Sequence, residues 1–219
     1  ATYFKQATEK LGMETAFYTY AEYEKDSRPD DLLKLDPPPQ EDALLCKLAP
    51  FVQSYCHQLQ ILSRLPSVHF LNSPAGIWAA LDKKTAKQRL LAAQVSTTPL
   101  LDYTASSYEE LLDKMTMNHH QRVFIKPRYG SGAAGVAAFQ INRQNQQVLQ
   151  TSLALTKQGL INTKRVRRFS QPEKNRRLLD LLLQEDCILE TWIPKDSVNG
   201  ITYDLRIVYQ LGKIVFAIP

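Results

Sequence analysis

Acidic residues are absent from a long internal stretch of this chain. None occurs between Asp113 and Glu173, a window that holds Lys114, Arg122, Lys126, Arg128, Arg143, Lys157, Lys164, Arg165, Arg167 and Arg168. The resulting positive field favours a polyanion, either nucleotide phosphates or nucleic acid, although a solvated basic face would have the same composition. Cysteine is also scarce. Cys46, Cys56 and Cys187 cannot all pair with one another and none sits in a CxxC arrangement. That argues against a disulfide framework and a structural zinc site, and it fits a reducing, cytoplasmic setting. No apolar run approaches the ~20 residues that a membrane span needs, so no membrane partner is expected. The first six residues lack both the apolar core and the cleavage pattern of a signal peptide. They also lack an initiator Met and start directly in a helix-like pattern, which suggests a trimmed start. His119 and His120 are adjacent in a polar stretch and read as a loop rather than as metal ligands.

The remainder is an ordinary globular composition: 219 residues, 44% hydrophobic and 22% charged, with a net charge of +5. That length suffices for one large domain or two to three small lobes. Thr2 to Leu11 reads as a short amphipathic helix stopped by Gly12, and Ala16 to Tyr20 as a strand. This succession suggests the edge of a doubly wound α/β unit whose first strand is missing. Asp36-Pro37-Pro38-Pro39 is a rigid linker or a loop, because consecutive prolines support neither helix nor central strand. Glu41 to Leu65 reads as a long helix bent at Pro50, Val68 to Leu71 as a strand, and Asn72-Ser73-Pro74 as a helix start. Asp82 to Ala93 is strongly helical, Leu100 to Tyr103 extended, and a helix capped by Ser107 buries Leu111 and Leu112. Arg122 to Lys126 is a strand, Pro127 to Gly135 a glycine-rich turn, and Val136 to Ile141 extended again. Further on, Leu178 to Gln184 is helical, Cys187 to Glu190 a strand, and Tyr203 to Ala217 a hairpin turning at Gly212.

Gly130-Ser131-Gly132-Ala133-Ala134-Gly135 fits GxGxxG, a weak signal by itself. Small residues here let backbone N–H groups surround phosphate oxygens. A Rossmann site needs this turn to open a helix and an acid about 20 residues later. Here a strand follows, and no acid occurs before Glu173. A P-loop needs Lys-Ser or Lys-Thr after the last glycine, which is absent, and a kinase lysine would follow the glycines rather than precede them as Lys126 does. What remains is strand, Lys, Pro, glycine hairpin, strand. Lys126 would point from its strand end towards phosphates that the hairpin covers. The plainer alternative is a tight hairpin whose glycines serve only positive φ.

From about Leu71 to the end, the chain resembles the ATP-grasp superfamily in four ordered pieces. Asp82-Lys83, opening a helix that leads to Thr98-Pro99, is similar to the front lysine of that fold. Phe124-Ile125-Lys126-Pro127 with Gly130 to Val136 resembles the second lysine strand and its phosphate-covering loop. Leu189-Glu190-Thr191-Trp192-Ile193 resembles the adenine hinge, and Asp204-Leu205-Arg206 with Gly212-Lys213 the first strand of a second lobe. The resemblance implies an α/β chain with an ATP-grasp fold: a Rossmann-like pre-ATP-grasp lobe over 1–71, a nucleotide-binding lobe over 72–193, and an incomplete second lobe over 194–219.

The site implied by the resemblance binds ATP. Lys83 and Lys126 would neutralise the α- and β-phosphates as point charges, under Gly130, Ser131, Gly132 and Gly135. Glu190 would accept the adenine amino proton, backbone groups from Thr191 to Ile193 would read the ring edge, and Trp192 and Ile193 would supply apolar walls; Trp192 also suits a core role. Asp204 would take a ribose hydroxyl. Arg206, two residues on, would bind phosphate or a substrate carboxylate and is the candidate catalytic residue; a surface ion pair between Asp204 and Arg206 is the alternative.

Within the superfamily, the resemblance points to carboxylate–amine ligases such as ribosomal-protein glutamate ligases and D-alanine ligases. These phosphorylate a carboxylate and pass the acyl group to an amine, so the implied partners are ATP, a carboxylate and an amine. Two features depart from that pattern. The stretch from Glu190 to Asp204 is longer than the usual hinge-to-ribose spacing, so a loop should bulge around Lys195 to Gly200. The family's magnesium ligands are expected beyond Pro219, so this stretch alone should turn ATP over poorly or not at all. A non-catalytic nucleotide-binding module and a nucleic-acid-binding protein are the rival readings, with nucleic acid the less favoured. The basic segment Lys164 to Phe169, near Arg176 and Arg177, is open to three uses: mobile loop, substrate or phosphate binding, or nucleic-acid contact.

Overall fold

A computed structural model describes residues 2–39, 44–130, 133–210 and 212–218. The chain begins with helices α1 (Thr2–Lys10) and α2 (Tyr20–Lys25) and a short strand β1 (Leu32–Leu33). The strand expected over Ala16 to Tyr20 does not form. Thr19 instead caps α2 in a reciprocal box: its hydroxyl accepts from the Glu22 N–H at 3.3 Å, and the Glu22 carboxylate accepts from the Thr19 N–H at 2.7 Å. A Thr-x-x-Glu sequence satisfies two otherwise orphaned donors in this way, which outweighs the β propensity of the aromatic run.

A 3-10 turn (Leu45–Lys47) leads into α3 (Leu48–Leu62), whose buried face carries Leu48, Val52, Tyr55, Cys56, Leu59 and Leu62. The expected break at Pro50 falls at the start of the helix rather than within it. Pro50 lies in the first turn, where a backbone N–H has no intrahelical partner to lose. Residues 41–43 of the expected helix lie outside the described residues. Strand β2 (His69–Phe70) pairs parallel with β1, Leu32 opposite His69 and Leu33 opposite Phe70. The parallel element is therefore a two-stranded ladder with α3 in its crossover. Helix α4 (Pro74–Leu81) starts at the Ser73 cap with Pro74 in its first turn. Asp82, extended at φ −96° and ψ 98°, ends α4 and caps α5 (Lys83–Ala92).

Helix α6 (Tyr108–Met117) precedes the main sheet, formed by β3 (Arg122–Pro127), β4 (Ala137–Ile141), β5 (Gln147–Thr156), β6 (Gly159–Phe169) and, after α7 (Pro172–Leu183), β7 (Cys187–Thr191). The order is β6-β5-β4-β3-β7, with every pair antiparallel. Alternation along β3 fixes its two faces. Val123 and Ile125 are fully buried with Phe139, Leu149 and Leu153, beneath Leu111 and Met115 of α6 and Leu178, Leu179 and Leu182 of α7. Phe124 and Lys126 therefore occupy the opposite face.

The basic segment at 164–169 is a strand rather than a mobile loop: Arg167 lies opposite Thr151, Arg168 opposite Gln150 and Phe169 opposite Leu149. Leu149, Thr151 and Leu153 of β5 face inward, the register shifts between Thr151 and Leu153, and Gly159, at φ +133°, helps turn the hairpin. Leu100 to Tyr103 forms no strand. Its only pairing among the described residues is an isolated bridge from Leu100 to Glu190, with the Leu101 N–H on the Leu189 carbonyl at 2.9 Å.

The loop expected around Lys195 to Gly200 is a small hairpin, β8 (Ser197–Val198) with β9 (Ile201–Thr202). Its turn is Asn199-Gly200, both at positive φ, as a tight hairpin requires. The last hairpin pairs β10 (Arg206–Gln210) with β11 (Lys213–Ile218) across Gly212 at φ +81°. No helix among the described residues is long and apolar enough to cross a membrane.

Candidate functional site

The densest charge cluster is assembled by β3, β7 and α5. Phe124 pairs with Glu190 and Lys126 with Ile188, so Lys126 and Glu190 are diagonal neighbours on the face turned away from α6 and α7. Lys126 Nζ donates to Glu190 Oε2 at 2.6 Å, and Lys87 Nζ lies 3.4 Å from Oε1. Glu190 is only 1% exposed, whereas the Lys126 side chain is 26% exposed. A carboxylate removed from water this completely persists only with partners at both oxygens, and the two ammonium groups provide them. Lys87 is held further by the Thr98 carbonyl at 2.5 Å and the Thr97 hydroxyl at 3.2 Å. The site thus presents a net positive pair around one buried acid, with the Lys126 head reaching solvent.

Lys83, one helical turn before Lys87, is engaged elsewhere. Its Nζ donates to the carbonyls of Pro127, Tyr129 and Gly130 at 2.9, 3.1 and 2.8 Å. Burial, and then the nearby Lys126 charge, lower its pKa below the ordinary lysine value. Asp82, 3% exposed, clamps Arg128 in a two-point pair, with Nε to Oδ1 at 2.9 Å and Nη2 to Oδ2 at 2.6 Å. Arg128 Nη1 also reaches Asp186 at 3.2 Å. Burial raises the Asp82 pKa, but hydrogen bonds from Arg128 and Thr85 outweigh it and hold the carboxyl at about 2.

The glycine turn is tightly packed at both ends. At Gly130, with φ +95°, a Cβ would lie 2.7 Å from Leu48 Cδ2; at Gly135, with φ +71°, it would lie 2.5 Å from Pro127 Cγ and 2.8 Å from Leu45 Cδ1. The glycines thus serve close approach as well as conformation. Gly135 N–H donates to Asn162 Oδ1 at 3.2 Å, which also accepts from the Ser152 hydroxyl at 2.7 Å. Ser131 and Gly132 lie outside the described residues.

At the hinge, the Thr191 N–H is taken by the Pro99 carbonyl at 3.0 Å. Trp192 packs edge-on to Phe124 at 5.4 Å, with Arg122 stacked over it at 5.9 Å, and Ile193 is 54% exposed. Trp192 is therefore a wall of the same sheet face that carries Lys126. Asp204 and Arg206 do not share a strand, because β10 begins at Arg206; the exposed Asp204 pairs with Lys195. The period-two argument that set the two side by side does not apply to them.

The structure thus brings Lys126, Glu190 and Trp192 to one sheet face, while Asp204 lies between β9 and β10 and Arg206 opens β10. Lys87 and Arg128 were missed by sequence reasoning. Their only signal was position: Lys87 lies four residues after Lys83, on the same helix face, and Arg128 directly follows the strand. On β6, Arg167 Nη2 donates to the Leu153 carbonyl at 3.0 Å, and on α7 Arg176 pairs with Glu109, so part of the basic segment is already neutralised or hydrogen-bonded. Among the described residues, no group of three or more His, Cys, Asp or Glu side chains could hold a metal ion. Glu190, saturated by two lysines, does not fit that role.

The family described as YheC/D like ATP-grasp matches residues 78–213. Among solved structures, the crystal structure of D-alanyl-alanine synthetase A from Vibrio cholerae O1 biovar eltor matches with 13% identity and a TM-score of 0.37. That match covers 68% of this chain and 38% of the other, so it spans well under half of that protein's length. No curated protein matches the sequence.

Proposed function

The chain belongs to the YheC/D-like ATP-grasp family, and from that footing we propose that it binds ATP over the sheet face formed by β3 and β7. The observation that carries this reading is the buried Glu190 flanked by Lys126 and Lys87 at 2.6 and 3.4 Å. In this proposal Glu190 is the counter-ion of Lys126 and the buried Lys87, and Lys126, whose head reaches solvent, takes a phosphate. Lys83, on loop carbonyls, and Lys87, on Glu190, Thr98 and Thr97, are both fully engaged, and Lys83 remains the proposed second phosphate lysine once its loop contacts yield. The glycine turn from Gly130 to Gly135 covers the phosphates, and Trp192 and Ile193 wall the adenine.

The reaction we infer is a carboxylate–amine ligation. The γ-phosphoryl of ATP passes to a carboxylate oxygen with release of ADP. An amine nitrogen then attacks the acyl carbon, inorganic phosphate leaves, and the nitrogen loses a proton. Magnesium, when bound, would neutralise charge on the transferring phosphoryl. Arg206, exposed at the start of β10, is proposed to meet that phosphoryl or the substrate carboxylate, and Asp204 the ribose once its exposed pair with Lys195 yields. The proposed division is a pre-ATP-grasp lobe to residue 71, a nucleotide-binding lobe to 193 and the start of a second lobe thereafter.

Isothermal titration with a non-hydrolysable ATP analogue tests the reading. Saturable binding should be lost in Lys126→Ala and kept in Arg168→Ala. Equal losses would mean a diffuse basic surface in place of a pocket.

A further inference from the structure

The two edges of the main sheet are finished differently. On β7, the Thr191 N–H donates to the Pro99 carbonyl at 3.0 Å and the Leu101 N–H to the Leu189 carbonyl at 2.9 Å, so residues 99–101 occupy that edge. On β6, Leu44 meets the edge through an isolated bridge at Ile161. Further along, Asn162 lies opposite Leu153 and Arg167 opposite Thr151. Residues 163–166 therefore face the single residue Ser152, and this bulge leaves Arg165 and Val166 exposed. Beyond it, among the described residues, no strand pairs with the outer side of Arg167 to Phe169. The register settles which backbone groups face outward there. The Ile141 N–H donates to the Gln121 carbonyl at 3.0 Å, and opposed residues in an antiparallel ladder alternate between pairs that exchange hydrogen bonds and pairs that do not. Counted from Gln121 and Ile141 across β4 and β5, Arg167 with Thr151 and Phe169 with Leu149 exchange bonds, and Arg168 with Gln150 does not. The N–H and carbonyl of Arg168 thus point away from the sheet. The same count turns Ile161 outward, where Leu44 meets it.

On this stretch of β6 the charge has one sign. Arg165, Arg167 and Arg168 lie on the strand and Lys174 of α7 beside it; unlike Arg176, which pairs with Glu109, none of the four has an acidic partner among the described residues. Phe169 already has the Arg167 guanidinium 5.8 Å and the Lys174 ammonium 4.6 Å from its ring centroid. A ring engaged by cations is a poor platform for stacking bases, which argues against single-stranded nucleic acid. Like charges also keep a second copy of this edge away, so the chemistry that fits is an extended chain of opposite charge. We propose that the β6 edge from Arg167 to Phe169 is a docking site for an acidic peptide segment, which adds to the sheet as a further strand. The peptide backbone exchanges hydrogen bonds with Arg168. Because successive side chains alternate between faces, its carboxylates meet Arg168 on one face and Arg167 and Lys174 on the other. The proposal does not depend on the ATP-binding reading.

The test uses the full chain and a short fluorescein-labelled peptide of alternating Thr and Glu. Its fully N-methylated counterpart keeps the carboxylates but cannot donate to a strand edge, and oligothymidylate of equal charge stands for nucleic acid. Fluorescence anisotropy should show saturable binding of the peptide, with the N-methylated form and oligothymidylate each weaker by about tenfold or more. Arg168→Glu, a change at an exposed side chain, should cost the peptide about tenfold in affinity. In amide hydrogen exchange, the Arg168 amide should slow on saturation with the peptide, while the Arg167 and Phe169 amides, already in the ladder, keep their rates. No peptide binding, equal binding of the N-methylated form, or an Arg168 amide unchanged at saturation overturns the proposal. Oligothymidylate that binds more tightly than the peptide, and is weakened by Arg168→Glu, overturns it in favour of nucleic acid.

Discussion

Replacing Asp82 by Asn removes one negative charge from a nearly isosteric side chain, and the structure gives the size of the effect. Asp82 Oδ1 accepts from Lys84 N–H at 3.0 Å, Thr85 N–H at 3.2 Å and Arg128 Nε at 2.9 Å. Its Oδ2 accepts from the Thr85 hydroxyl at 2.8 Å and Arg128 Nη2 at 2.6 Å. In Asn, the amide oxygen can keep the first three bonds, while the amide nitrogen sets a donor against the Arg128 donor. The carboxyl pKa falls from 3.8 to about 2 on folding, against a burial penalty that acts the other way. At about 1.4 kcal/mol per pKa unit, that is a stabilisation of roughly 2–3 kcal/mol. Because the folded pKa is the lower one, the stabilisation is complete well above pH 3.8 and is lost as pH falls towards 2. Urea unfolding at pH 7 should show Asp82→Asn less stable by about 2–3 kcal/mol, a gap that falls to roughly half by pH 3. A gap that is the same at pH 7 and pH 3, or absent at both, would refute the reasoning.

Gly135→Ala combines a positive φ with Cβ contacts of 2.5 Å to Pro127 and 2.8 Å to Leu45; chemical denaturation should show a loss of about 1–3 kcal/mol. The thiols should separate by reactivity. Burial, then Glu185 and Asp186, push the Cys187 thiol up to about 12, and burial raises that of Cys56, while Cys46 is exposed. Titration with a thiol reagent at pH 8 should therefore modify Cys46 first and the other two only slowly until denaturant is added.

The main sheet was legible where side-chain alternation and glycine mark it. Val123 and Ile125 point inward and Phe124 and Lys126 outward, as Arg122-Val-Phe-Ile-Lys126 implies, and the hairpin after Gly135 returns as β4. The β5–β6 hairpin was passed over because its charges drew attention from its alternation. Leu149, Thr151 and Leu153 alternate inward, and Lys157-Gln158-Gly159 is a turn. Ala16 to Tyr20 misled because aromatic β propensity is weaker here than the four-residue capping box from Thr19 to Glu22. In the site, sequence reasoning took Lys83, Lys126 and Glu190 from the family resemblance and did not weigh Lys87. Residues four apart share a helix face, and only the packed loop decides which ammonium meets carbonyls and which meets the acid. The pairing of Asp82 with Arg128 was invisible for a related reason: it spans 46 positions.

The account depends on where a nucleotide sits. Backbone amide NMR of the protein titrated with a non-hydrolysable ATP analogue maps that directly. The account predicts saturable shifts at Lys126, Gly130 and Glu190 to Ile193, with Arg165 to Arg168 unmoved. Shifts confined to Arg165 to Arg168 and Arg176 to Arg177, with the hinge and Lys126 silent, would contradict it.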